Sequence, residues 1–159
     1  MSKFPTDTEN RISKKFQNRL LSIIEEQDCS NEEFALLVGV STPVITKAVT
    51  FGILPTTRIL TRIADRLECS VLYLLGEVDE DNFISSVVGD TFFDRLELLK
   101  NEKKVSYRKI ALDMPFCQSY FSEWKINGTV PALEYVFALS QYFGVSIDYL
   151  LGRSDDRQY

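Results

Sequence analysis

The sequence predicts an all-α protein made of two tandem copies of one five-helix unit, and three observations carry that expectation. The segment SVLYLLGEVD at residues 70–79 returns as SIDYLLGRSD at residues 146–155, an offset of 76. Apolar residues recur at helical spacing in short runs, with no alternation of the kind a half-buried strand requires. Serine, threonine or proline opens most of these runs, and several close on glycine, which are the usual start and stop signals of helices.

Carried backward without a gap, the offset pairs Phe16 with Phe92, Arg19 with Arg95, Leu20 with Leu96, Glu26 with Glu102 and Ser30 with Ser106. It also pairs Ala35-Leu36 with Ala111-Leu112, Gly52 with Gly128, and Pro55 with Pro131. Identities this regular over about sixty residues define a duplicated domain. The expected divisions are a flexible N-terminal segment 1–13, a first domain 14–76, a linker 77–90, a second domain 91–153 and a tail 154–159. Phe83, Ile84, Val87 and Val88 make that linker too apolar for an idle tether, so packing against the copies or a partner is expected.

In the first copy Phe16, Leu20, Ile23 and Ile24 share one face of a first helix. Ser30 followed by Glu33 reads as a capping box that opens a second helix over 31–37, and Gly39 ends it by entering the left-handed region. A third helix opens at Ser41 as N-cap, tolerates Pro43 in its first turn, and stops before Gly52. Pro55 and Thr56 start a fourth helix carrying Ile59, Leu60, Ile63, Ala64 and Leu67. Ser70 caps a short fifth with Leu72, Leu74 and Leu75. The expected core of this copy includes Leu20, Ala35, Ile45, Ile63 and Leu74.

The second copy repeats the plan, with Phe92, Leu96 and Leu99 on its first helix and Ser106 capping the second. Its third helix is expected over 117–126 and its fourth over 132–143, around a core of Leu96, Ala111, Phe121, Leu139 and Leu150. Met114-Pro115-Phe116 places a proline where the first copy has Gly39, so the turn between helices two and three is expected to differ.

Composition narrows the function classes. A hydrophobic content of 45% in 159 residues is that of a globular chain. There is no histidine, the three cysteines (Cys29, Cys69 and Cys117) are far apart, and no glycine-rich phosphate loop occurs. No metal, no cofactor and no enzymatic role are therefore expected. With no leader segment and no apolar run of membrane-spanning length, the expected location is the cytoplasm, at the nucleoid, and no membrane partner is expected. The net charge of −5 opposes generic polyanion binding, and both halves of the chain are acidic. Any affinity for nucleic acid must come from local placement of charge.

The residues resemble the Cro and phage-repressor helix-turn-helix family, also called the XRE family, over about 15–76 and 91–152. The resemblance rests on SEWKINGTVPALEYVFALSQYFGVSIDYLLG in the second copy and on FALLVGVSTPVITKAVTFGILP in the first. It implies two tandem five-helix lambda-repressor-like domains, double-stranded DNA as partner, and regulation of transcription in a bacterium or one of its mobile elements. A homodimer is left open. In such domains the second helix crosses the phosphate backbone and the third enters the major groove.

Carried over by position, the base-facing residues are Ser41, Thr42, Pro43, Val44 and Lys47 in the first copy, with Ile45 and Ala48 inward. In the second they are Cys117, Gln118, Ser119, Tyr120 and Glu123, with Phe121 and Trp124 inward. Gln118 suits adenine, since an amide donates and accepts at once. Asn31, Tyr107 and Arg108 stand where phosphate contacts are expected. Ser41, Thr42, Gln118 and Ser119 are also residue types that any helix start prefers. Glu32, Glu33 and Glu123 would repel phosphate, although glutamate can accept a hydrogen bond from cytosine N4. The acidic balance supports the alternative of a protein-interaction module, an adaptor or antitoxin-like chain that has lost DNA binding.

Overall fold

A computed structural model of the chain describes residues 11–158. Among these residues there are ten α-helices and no strand; one isolated antiparallel bridge pairs Ile12 with Ile53. No helix among them is long and apolar enough to cross a membrane. The chain divides into two compact units between Phe83 and Ile84.

The first unit holds α1 (Lys14–Gln27), α2 (Asn31–Val38), α3 (Thr42–Phe51), α4 (Thr57–Leu67) and α5 (Val71–Leu74). Ser13, Ser30, Thr56 and Ser70 cap α1, α2, α4 and α5, each side-chain oxygen accepting from the backbone N–H three residues on. At Ser41 the N-cap position is correct but its hydroxyl makes no capping bond, and Pro43 spares the first turn one donor. The expected reciprocal box at Ser30 and Glu33 is half made, whereas Thr91 and Asp94 form a complete one in the second unit.

Helix α3 packs on α1 and α2, while α4 packs on α2 and α5, and α5 returns to α1. Phe16, Leu20, Phe34, Ile45, Leu60, Ile63 and Leu74 are fully buried where these helices meet. Each such side chain stabilises the fold by about 1.5–3 kcal/mol relative to exposure.

The second unit holds α6 (Phe92–Lys103), α7 (Tyr107–Leu112), α8 (Ser119–Asn127), α9 (Leu133–Phe143) and α10 (Ile147–Leu150). Leu96, Phe121, Leu139 and Leu150 are buried as expected. Ala111 is only half-buried, a correction explained by the early end of α7, which stops at Leu112. Proline at position 115 cannot take the left-handed φ that Gly39 uses (+71°), and it disfavours helical backbone at Met114. Helix α7 therefore closes at Asp113 with φ −101°.

Three segments outside the two expected domains are tied down. Arg11–Ser13 lie beside Ile53: Leu54 N–H donates to the Arg11 carbonyl at 2.8 Å and Ser13 N–H to that of Gly52 at 2.8 Å. Residues 1–10 of the expected N-terminal arm fall outside the described residues. The expected linker is divided between the units, with Asp81 accepting from Ser70 N–H in the first and Ser86 N–H donating to the Arg153 carbonyl in the second. It is held by polar bonds and not by the expected apolar packing on the copies: Phe83 is half-buried, and Ile84, Val87 and Val88 are exposed. The tail is held by Arg157, whose guanidinium makes a two-pronged bond to Glu102 at 2.8 and 2.9 Å.

The repeat also preserves an arginine clamp. Arg95 is 2% exposed; it bonds Asp90 at 2.8 Å and Asp155 at 2.7 Å, donates to the carbonyls of Tyr149 and Ser154, and lies over the Tyr149 ring. Its counterpart Arg19 lies over Tyr73, donates to the Val78 carbonyl and approaches Asp79 at 3.8 Å. In both units a glycine ends helix five against this corner. A Cβ on Gly76 would stand 2.5 Å from the Lys15 carbonyl oxygen, and one on Gly152 only 2.0 Å from that of Asp90. With φ of +75° at each, the glycines of the repeated Leu-Leu-Gly segment are required by backbone contact.

Candidate nucleic-acid interface

In the first unit the sequence Gly39-Val40-Ser41 turns the chain from α2 into α3. Val40 N–H donates to the Ala35 carbonyl at 3.0 Å, closing the end of α2. Ile45, Ala48 and Val49 fix one side of α3 in the core, and helical spacing then sends Ser41, Pro43, Thr46 and Lys47 outward. Thr42 and Val44 are half-buried, as is Asn31 at the start of α2. Gln17 holds the other end of α3, its amide donating to the carbonyls of Val49 at 2.8 Å and Thr50 at 3.2 Å. The base-facing candidates of this copy thus lie along one rigidly backed helix.

In the second unit six residues, 113–118, separate α7 from α8, where three separate α2 from α3. The turn is filled by Phe116, whose ring meets Phe121 at 5.3 Å, Trp124 at 5.0 Å and Tyr135 at 5.0 Å. Phe121 and Trp124 are buried. Cys117, Gln118, Ser119, Tyr120 and Glu123 face outward, but α8 begins at Ser119, so Cys117 and Gln118 lie just before the helix and not within it. Tyr120 also leans on the aromatic cluster, at 6.1 Å from Phe116 and 5.9 Å from Tyr135. Burial raises the Tyr135 phenol above its ordinary pKa, and Tyr120, Glu134 and Cys117 nearby add to the effect.

Tyr107 departs from its expected role. Its ring stacks on Phe121 at 4.5 Å with the Lys100 ammonium over it at 4.8 Å, and its hydroxyl is buried without a partner. The side chain is committed to the core and offers nothing to a phosphate. Arg108, beside it, is exposed.

The surroundings of the two third helices carry opposite charge. Exposed Glu32 and Glu33 occupy the first turn of α2, while the first turn of α7 has no acidic residue and Arg108 and Lys109 lie on that helix. On α4 the order reverses. Arg58, Arg62 and Arg66 recur every four residues along its exposed face, whereas the corresponding residues of α9 are Glu134, Ala138 and Tyr142. Sequence reasoning missed this stripe although its spacing was legible.

Compared with known protein families, curated proteins and solved structures, the chain finds no match.

Proposed function

We propose that the chain is a sequence-specific DNA-binding regulator of the Cro and phage-repressor type, acting by occupancy of its operator through tandem helix-turn-helix units. The observation that carries this reading is α3 itself. Ile45 and Ala48 lock it to the core while Ser41, Pro43 and Lys47 project from a short turn, an arrangement suited to laying a helix in the major groove. Gln118, exposed ahead of α8, is the best base reader of the second unit. Duplex binding measured across a salt series tests the proposal: affinity should fall steeply as salt rises, because phosphate contacts release counterions.

A second reading has its own support. Leu36 is 85% exposed and its repeat partner Leu112 is 80% exposed, and the chain is acidic. Those features suit a protein-interaction module. Absence of duplex binding at low salt would make it the better account.

A further inference from the structure

We infer that Arg58, Arg62 and Arg66 form a phosphate-binding stripe that anchors the first unit to duplex DNA. The inference rests on the DNA-binding reading and adds to it a surface outside the helix-turn-helix pair.

The three residues lie on α4 at intervals of four, so their side chains follow one another along a single face with a rise of about 6 Å per step. All three are exposed, and none is in an ion pair with a described residue. By contrast, Arg19, Arg95, Arg153 and Arg157 each pair with a carboxylate. A row of three uncompensated guanidiniums repels itself unless a polyanion lies along it.

Its position names the occupant. Arg62 Nη1 donates to the Gly39 carbonyl at 3.2 Å, and the Arg66 guanidinium lies close enough to Gly39 that a Cβ there would touch it at 3.7 Å. The stripe therefore borders the turn leading into Ser41, Thr42 and Pro43, and it is continuous with the surface proposed to face DNA. Its length of about 12 Å spans roughly three phosphates of one strand, using the repeat of one charge per 3.4 Å of axis. Guanidinium suits this contact because its planar fork can hold two phosphate oxygens at once. The stripe also supplies positive charge that α2 lacks, since Glu32 and Glu33 occupy the first turn of that helix. At the matching positions of α9, glutamate, alanine and tyrosine offer no such row, so the anchor belongs to the first unit alone.

The test uses the full chain and three proteins: wild type, the triple variant Arg58→Gln/Arg62→Gln/Arg66→Gln, and the triple Arg→Lys variant. Thermal melts first establish that each is folded. Binding to a random-sequence duplex is then followed from low to moderate salt. The glutamine variant should lose about 2–3 units of the log–log salt slope and bind on the order of 10- to 100-fold more weakly at low salt. The lysine variant should keep the slope, because the charge remains. If wild type binds the duplex and the glutamine variant shows the same slope, the stripe does not touch phosphate and the inference fails while the DNA reading stands. If wild type binds no duplex, the DNA reading itself fails. In that case, stripe-dependent binding of polyglutamate would assign the stripe to an acidic protein segment.

Discussion

In the first unit α2 continues to Val38 and Gly39 closes it; in the second, Pro115 holds that repeat position and α7 stops at Leu112. The first unit then enters α3 through three residues and packs that helix through Ile45, Ala48 and Val49, with no aromatic residue in the turn. The second spends six residues on the turn and fills the space with Phe116, stacked among Phe121, Trp124 and Tyr135. The clamp differs too, Arg95 being buried with two carboxylates where Arg19 is partly open with distant Asp79. A shared helical plan thus tolerates a replaced turn when an aromatic residue supplies the apolar area that the shortened helix gives up.

The strongest way to break this comparison is to remove the aromatic insert. Phe116→Ala should destabilise the second unit by about 3–5 kcal/mol, the cost of emptying a buried aromatic position. Val40→Ala, at the matching and half-buried position of the first unit, should cost about 1 kcal/mol. Trp124, the single tryptophan, reports the second unit by fluorescence, while far-ultraviolet circular dichroism follows both. Equal costs at the two positions would show that the insert adds no packing.

Next in size is the clamp. Arg95→Ala removes the guanidinium shared by Asp90, Asp155 and two carbonyls and should cost about 2–3 kcal/mol, less than a fully buried pair because both carboxylates are about a third exposed. Arg19→Ala should cost about 1 kcal/mol or less, since its ion-pair partner Asp79 is fully exposed. Chemical denaturation of the two variants checks the ordering, and a larger loss at Arg19 would invert it.

Acid should act on the same corner. The Ser86 hydroxyl, Val87 N–H and Arg95 lower the Asp155 pKa, and the Arg157 bond lowers that of Glu102. Because both folded values lie below the unfolded ones, the stability they confer is present above the ordinary carboxylate pKa of about 4 and is lost as pH falls through the folded values. Trp124 fluorescence should report a second unit that weakens below about pH 4, and Asp155→Asn should flatten that dependence. An unchanged acid profile in Asp155→Asn would remove the clamp from the explanation.

Much of this fold was legible in the sequence because caps and helical periodicity are local. Ser30, Gly39, Thr56 and Ser70 sit at helix boundaries, and Ile45, Ala48, Phe121 and Trp124, placed inward by position, are buried. What escaped was long-range. Arg19 and Arg95 were visible as a repeated pair, but nothing local ties them to Tyr73, Tyr149 and the segments after helix five. Tyr107 read as a surface residue at a helix start, and only the tertiary approach of Phe121 turns its ring inward. Pro115 announced an altered turn without saying that Phe116 would fill it.

At the candidate interface the expected effects fall on binding and not on folding stability, and the units are expected to divide the work. Gln118→Ala should cost about 1–3 kcal/mol in binding and relax preference at one or two base pairs. Lys47→Ala should weaken all sequences alike and lower the salt slope by about one unit.

Selection of bound duplexes from a random pool at low salt, run in parallel with the full chain and its Gln118→Ala variant, tests the DNA-binding proposal most directly. Wild type should enrich one motif, and the variant should enrich the same motif with one or two positions degenerate. A pool that stays random with wild type would contradict DNA recognition and leave the exposed helix faces to a protein partner.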